Sequence, residues 1–285
     1  WANLQEQEGQ PLVNHAGAET LPPGSIFKII TTAAGLNNGF NPSSTLTGSN
    51  VITLPDTVTE LTNYANQKCN GQDAVTLQTA FALSCNTAFV EMSEQLGADE
   101  LRKYAKAFGV GENYDLGVST SAGTLGDLPD GAATAQSAIG QRDVTMTALQ
   151  AAVMAGTVAN KGTRMQPYLV NRITDAQMKD VRTTKPKKAD QAVNEETAAT
   201  LTDLMYASER SSWGYDGNGF ASKTGTAEHG EGLAPHVWYV AFDPAKDVAV
   251  GVVVKNGGHL GAGATGGQVS GPLGRAVLRA YQGEQ

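Results

Sequence analysis

The sequence predicts an α/β chain of the α+β kind, with a central antiparallel sheet flanked by helices and joined to a mostly helical region. Two observations carry this. Near the C-terminus, "HVWYVAF" and "VAVGVVV" are rich in β-branched and aromatic residues and are separated by the turn "DPAKD", so they read as an antiparallel hairpin. Before and after that hairpin, apolar residues recur at helical spacing. The expected organisation is one domain over 1–285, mostly helical over about 40–165 and sheet-bearing over about 166–285.

The first two dozen residues are polar and irregular. A helix then runs from Ser25 to about Asn37, where "NNGFNP" supplies stop signals. Leu46 to Asn70 reads as loops with a small hairpin. Ala74 to Val110 is helical, broken once at "SCNT", and a Gly-, Ser-, Thr- and Asp-rich loop follows from Gly111 to Gly131. Further helices cover about Thr145 to Asn160, Glu195 to Glu209 and Val269 to Tyr281. "GAGATG", Gly261 to Gly266, matches a dinucleotide fingerprint but has no second βα unit after it, so it reads as a mobile glycine-rich loop.

A formal charge of −8 repels phosphate backbones. The basic cluster of Lys179, Arg182, Lys185, Lys187 and Lys188 surrounds a proline and reads as a solvated loop or hairpin tip; nucleic acid is not an expected partner. No apolar run approaches the roughly 18 residues that span a bilayer. The chain as given is therefore expected to be soluble. The start "WANLQEQEGQ" has neither Met nor a signal-peptide pattern, so an upstream segment is expected to be missing. Cys69 and Cys85 either pair, which fits an oxidising compartment, or are two unrelated buried thiols. His15, His229, His236 and His259 lack metal-ligand spacing, and no metal or cofactor is expected. His229, Glu228 and His236 read as loop residues, and Trp238 and Tyr239 as core or sheet-face residues.

The chemistry lies in three short stretches. In "LPPGSIFKII", Ser25 and Lys28 interrupt a segment that is apolar nearly all round. Three residues apart on a helix, they share a face. A serine needs a base to become a nucleophile, and burial lowers a lysine pKa toward the range where its neutral amine serves. Alone, S-x-x-K is weak. It is followed by "SCN", Ser84 to Asn86, and by "KTGT", Lys223 to Thr226.

In this order the three motifs are those of penicillin-binding proteins and class A β-lactamases. The sequence resembles the transpeptidase domain of penicillin-binding proteins from about Glu6 to Ala280. "KTGTAE" followed by "VWYVAFDP" resembles the monofunctional, class B members. The resemblance implies the penicillin-binding protein fold and a peptidoglycan D,D-transpeptidase, covalently inhibited by β-lactams.

By the same resemblance, Ser25 is the nucleophile and Lys28 its base. Ser84 relays a proton, and Asn86 bonds Lys28 and the substrate amide. Lys223 supplies positive charge and, with Thr224 and Thr226, attracts the substrate carboxylate. Gly225 leaves room for substrate to lie along the strand, and the N–H groups of Ser25 and Thr226 form the oxyanion hole.

Implied partners are stem peptides, β-lactams, a membrane glycosyltransferase, and division or elongation proteins. The implied location is the extracytoplasmic face of the bacterial cytoplasmic membrane, with an anchor and a non-catalytic module absent from this chain. The family's central sheet usually has strands before the serine helix, so the sheet is expected to be incomplete. Two alternatives share the motifs: a β-lactam sensor and a β-lactamase. The latter would need a deacylating carboxylate, for which Glu112 in "GENYDLG" is the nearest candidate.

Overall fold

The computed structural model describes residues 1–7, 9–230 and 232–283. The last two residues of the expected sheet region, 284–285, lie outside the described residues. Two helical turns, α1 (Ala2–Gln5) and α2 (His15–Ala18), precede a 3-10 turn, Gly24–Phe27, that runs straight into α3 (Lys28–Leu36). Four short strands follow, β1 (Thr45–Thr47), β2 (Val51–Thr53), β3 (Glu60–Thr62) and β4 (Ala74–Thr76). They pair antiparallel as β1 with β4 and β2 with β3.

Next come α4 (Leu77–Leu83), α5 (Asn86–Ala107), α6 (Gly131–Ala138) and α7 (Ala148–Ala159). The pairs β5 (Thr163–Met165) with β8 (Lys188–Gln191) and β6 (Arg172–Thr174) with β7 (Asp180–Thr183) lead to α8 (Glu195–Ser211). The chain ends in β9 (Ala221–Ala227), β10 (His236–Asp243), β11 (Val248–Val254), a 3-10 segment over Lys255–Gly263, and α9 (Ser270–Gln282).

Local chemistry sets these boundaries. Thr76, Asp130, Thr147 and Asn194 each accept a first-turn N–H of α4, α6, α7 and α8, and Thr147 forms a capping box with Gln150. The stretch expected to be one helix from Ala74 opens instead on a strand, because Val75 pairs with Leu46. Its second half is interrupted at Gly97, whose φ of 74° lies outside helical space.

The main sheet has the order β11–β10–β9, all antiparallel. Its middle strand is buried on both faces. Trp238, Val240 and Phe242 join the principal core with Ile26, Ile29 and Ile30 of the serine helix and with Met154 of α7. Tyr239 and Ala241 point the other way, onto Phe220 and Leu278 of α9. Alternation along one strand thus bonds two helical layers to one sheet. Outermost β9 keeps one edge unpaired.

Two sequence expectations are corrected and one open alternative is resolved. His236 is a buried strand residue opposite Ala227, not a loop residue, and its ring stacks on His229 at 3.8 Å. The glycine-rich stretch is 3-10 structure up to Gly263, and Gly266 packs on the sheet: a Cβ there would stand 2.6 Å from Gly225 O. The Cys69–Cys85 question closes in favour of a disulfide. The basic cluster, as expected, lies in and beside the exposed β6–β7 hairpin.

Candidate active site

The turn carrying Ser25 is fixed from three sides. Gly24 adopts a φ of 53°, and its N–H donates to Gly140 O at 2.9 Å. The Trp238 indole donates to Pro22 O at 2.8 Å, tying the turn to β10. A Cβ on Gly225 would come within 2.8 Å of Pro23 O and 3.2 Å of Ile26 N. Gly225 is therefore required by the packing of β9 against the serine turn, a reason the motif alone does not supply. Ser25 itself is half-exposed, and its hydroxyl has no hydrogen-bond partner among the described residues. It sits in the first turn of the helix, where N–H groups lack intrahelical partners and the dipole favours negative charge.

Lys28, one turn on, is fully buried. Its Nζ lies 2.7 Å from Asn86 Oδ1, 2.8 Å from Ser84 O and 3.3 Å from Ser84 Oγ; as a neutral amine it donates to the first two, and its lone pair can accept from the Ser84 hydroxyl. The expected contact with Ser25 is not made, because the buried amine takes the carbonyl and amide acceptors of the S-x-N stretch. Ser84 can offer both its oxygens since it closes α4 in the left-handed region, φ 62°. A non-glycine residue held there stores strain, a condition that clusters at functional sites.

Lys223 reaches the same point from β9. Its Nζ donates to Ser84 Oγ at 2.9 Å and to Thr224 O at 3.0 Å. It too is fully buried. Neither amine forms an ion pair among the described residues; their other neighbours are the Phe89 ring for Lys28, 5.2 Å from its centroid, and the Phe81 ring for Lys223, at 5.8 Å. Burial drives the Lys28 pKa well below the usual lysine range, and the Lys223 charge pushes it further. Burial alone lowers Lys223 to about 7. Two amines sharing one hydroxyl resist carrying two charges, and the Lys223 charge adds to burial in lowering Lys28.

Strand alternation sends Lys223 and Gly225 toward the serine turn, and Thr224 and Thr226 to the opposite face, where Thr226 Oγ1 accepts the Gly266 N–H at 3.4 Å. The Thr226 carbonyl lies 2.7 Å from where a Gly24 Cβ would stand. In an extended strand the N–H and C=O of one residue share an edge, so the Thr226 N–H faces the unpaired edge of β9 beside Ser25. Asn86 begins α5 and donates through Nδ2 to Thr62 O at 3.1 Å.

The structure thus brings Lys28, Ser84, Asn86 and Lys223 into one hydrogen-bonded cluster, beside the turn bearing Ser25 and the edge bearing Thr226. Sequence reasoning missed Gly140, Gly266 and the indole of Trp238 as supports of the site, because each reaches it from a segment remote from the three motifs. Among the described residues no group of three or more His, Cys, Asp or Glu side chains could hold a metal ion. Glu112 is held by Arg164 at 2.6 Å.

Residues 2–279 match the penicillin binding protein transpeptidase domain model. The chain is 44% identical over 289 residues to the peptidoglycan D,D-transpeptidase PbpA of Mycolicibacterium smegmatis, covering 98% of this chain and 59% of that protein. It is 42% identical over 294 residues to PbpA of Mycobacterium tuberculosis, covering all of this chain and 60% of the relative. The chain thus spans about three-fifths of the curated relatives it matches. The structure of penicillin-binding protein A from M. tuberculosis as a ceftriaxone acyl-enzyme superposes with a TM-score of 0.94 at 42% identity, covering 98% of this chain and 65% of that one. The chain belongs to the family of penicillin-binding protein transpeptidase domains.

Proposed function

We propose that the chain is the catalytic part of a peptidoglycan D,D-transpeptidase that works through an acyl-enzyme on Ser25 and is acylated there by β-lactams. The observation that carries this reading is the meeting of Lys28 and Lys223, from segments far apart in sequence, on the Ser84 hydroxyl beside the serine turn.

The neutral Lys28 amine turns from its Ser84 and Asn86 partners to Ser25 and takes its proton as Oγ attacks the carbonyl of the penultimate D-Ala. The N–H groups of Ser25 and Thr226 bond the developing oxyanion, each such donor contributing on the order of 3 kcal/mol. The C–N bond then breaks as Ser84 passes its proton to the leaving amine of the terminal D-Ala and takes the one held on Lys28, so that a neutral Lys28 and an ester remain. An amine from a second stem attacks that ester and gives a proton to Lys28, which passes it to Ser25 Oγ as the ester C–O bond breaks. Lys223 attracts the substrate carboxylate from the serine-turn face of β9, and Thr224 and Thr226, half-exposed on the other face, meet it across the unpaired edge. Asn86 bonds the substrate amide, and Gly225 lets the substrate lie along the β9 edge.

The whole of 1–285 is read as a single transpeptidase domain. An extracytoplasmic location, with stem peptides and a membrane glycosyltransferase as partners, fits the buried disulfide. No helix among the described residues is long and apolar enough to cross a membrane. The hydrolase alternative loses support at Glu112, whose carboxylate is engaged by Arg164.

The test is intact-mass measurement after exposure to penicillin G. One adduct per chain on the wild type and none on Ser25→Ala is expected; equal labelling of both would overturn the assignment. Sustained nitrocefin turnover would favour a hydrolase.

A further inference from the structure

The S-x-N stretch cannot cap its own helix. Cys85 occupies the N-cap of α5, makes no side-chain cap bond, and has its sulfur bonded to Cys69. An uncapped helix start leaves N–H groups that need partners from elsewhere. The partner here is Asn63, which lies in the loop after β3.

Asn63 is 7% exposed, and its Oδ1 accepts the Thr87 N–H at 3.1 Å, one residue beyond Asn86. Its Nδ2 donates its two N–H groups to Ser49 O at 2.9 Å and Gln67 O at 3.1 Å, and lies 3.2 Å from Thr87 Oγ1. Two carbonyls that can only accept and an N–H that can only donate fix which way round the amide lies. The Thr87 hydroxyl closes the ring by donating to Ser49 O at 2.9 Å. One side chain therefore joins the β1–β2 turn, the loop leading to Cys69, and the first turn of α5.

We infer that Asn63 is a positioning residue: it supplies from a distant loop the cap that Cys85 cannot, and so holds Ser84 and Asn86 in register with Lys28. This rests on the acyl-enzyme reading above. Small displacements at a reacting centre cost rate steeply, about a hundredfold for 1 Å. A lost tertiary cap should therefore appear in the acylation rate constant while the folded fraction stays intact.

The experiment compares wild type, Asn63→Ala and Asn63→Asp with a fluorescent penicillin, recording the acylation rate constant and the labelling stoichiometry separately. Asn63→Ala should label to one per chain with a rate constant at least about tenfold lower. Asn63→Asp keeps an oxygen for the Thr87 N–H but, when ionised, offers no donor to Ser49 O and Gln67 O, so its rate constant should fall less than that of Asn63→Ala and recover relative to wild type as pH falls and protonation restores one donor. Wild-type rates in Asn63→Ala, equal losses in both variants, or reduced stoichiometry at an unchanged rate would each overturn the inference.

Hydrogen exchange on the same proteins makes the test independent of chemistry. Exchange at 84–88 should quicken in Asn63→Ala while α7 is unchanged, and no change there would also overturn the inference. If the wild type takes no label, it is the acyl-enzyme reading that has failed, and exchange alone then decides whether Asn63 holds the segment.

Discussion

Two buried polar clusters meet β9 at adjacent residues, and they are built on opposite principles. In front, Lys223 joins Lys28 around Ser84 and Asn86, with acceptors but no carboxylate among the described partners. Behind, Ser222 donates to Glu209, which is fully buried and also accepts from Tyr239 at 3.0 Å, Asn218 at 2.9 Å and Arg275 at 2.6 Å. The rear cluster pairs one anion with one cation and fills the carboxylate's acceptor sites. It ties α8, β9, β10 and α9 together. The front cluster is left electrically unbalanced, which holds one lysine neutral and leaves the other ready for an anion. Compensation gives a scaffold; its absence gives the proposed base and the proposed anion site.

Breaking the contrast at its front should have the largest effect. Lys28→Met removes the base, and acylation should fall by about a thousandfold or more, within the range expected for loss of a proton-transfer group. Thermal melting of the same variant should hold or rise, because a buried amine is replaced by an apolar side chain of similar length. A variant that acylates at the wild-type rate would deny Lys28 its role.

At the rear the expected loss is in stability. Glu209→Ala leaves the Arg275 guanidinium buried without its anion, and about 3–5 kcal/mol should be lost in denaturant unfolding. Ser222→Ala removes a single donor from the same carboxylate and should cost only about 1 kcal/mol. If Glu209→Ala were neutral in stability yet inactive, the rear cluster would have to be regrouped with the front one. Severing Cys69 from Cys85 by Cys69→Ser should cost about 3 kcal/mol in the same measurement, since the cross-link joins residues 16 apart in sequence.

The mildest test is pH. Lys28 must be neutral to accept a proton, so acylation should fail as pH drops through its depressed pKa. Lys223 must be charged to draw a carboxylate, so acylation should also decline as pH rises past about 7, where Lys223 loses its proton. In Lys223→Arg, whose guanidinium stays charged, the alkaline decline should vanish at whatever rate remains. A decline that persists in Lys223→Arg would assign it to another group.

Much of this was readable before any coordinates. The β10–β11 hairpin announces itself because its side chains are β-branched and aromatic on both sides of a proline turn. The serine helix does so because it is apolar nearly all round. The helices α7, α8 and α9 fall close to their expected bounds, since periodicity and capping residues are local signals. What escaped was set by pairing. Val75 is a strand residue only because Leu46 lies opposite it, and His236 only because β10 extends to Ala227. The mobile loop expected at Gly261 to Gly266 ends instead on Gly225, a contact across forty residues that no window of sequence reports.

The order of S-x-x-K, S-x-N and K-T-G, with the residue types that can carry acyl transfer, was determined by the sequence alone. Tertiary structure decided that Lys28 answers to Ser84 and Asn86 instead of Ser25, that Gly225 serves packing, that Cys85 is bonded, and that Asn63 caps α5. Motif chemistry is written in side chains a few residues apart. Amine burial, helix capping at a distance and the choice among hydrogen-bond acceptors depend on which remote segments fill the space around them.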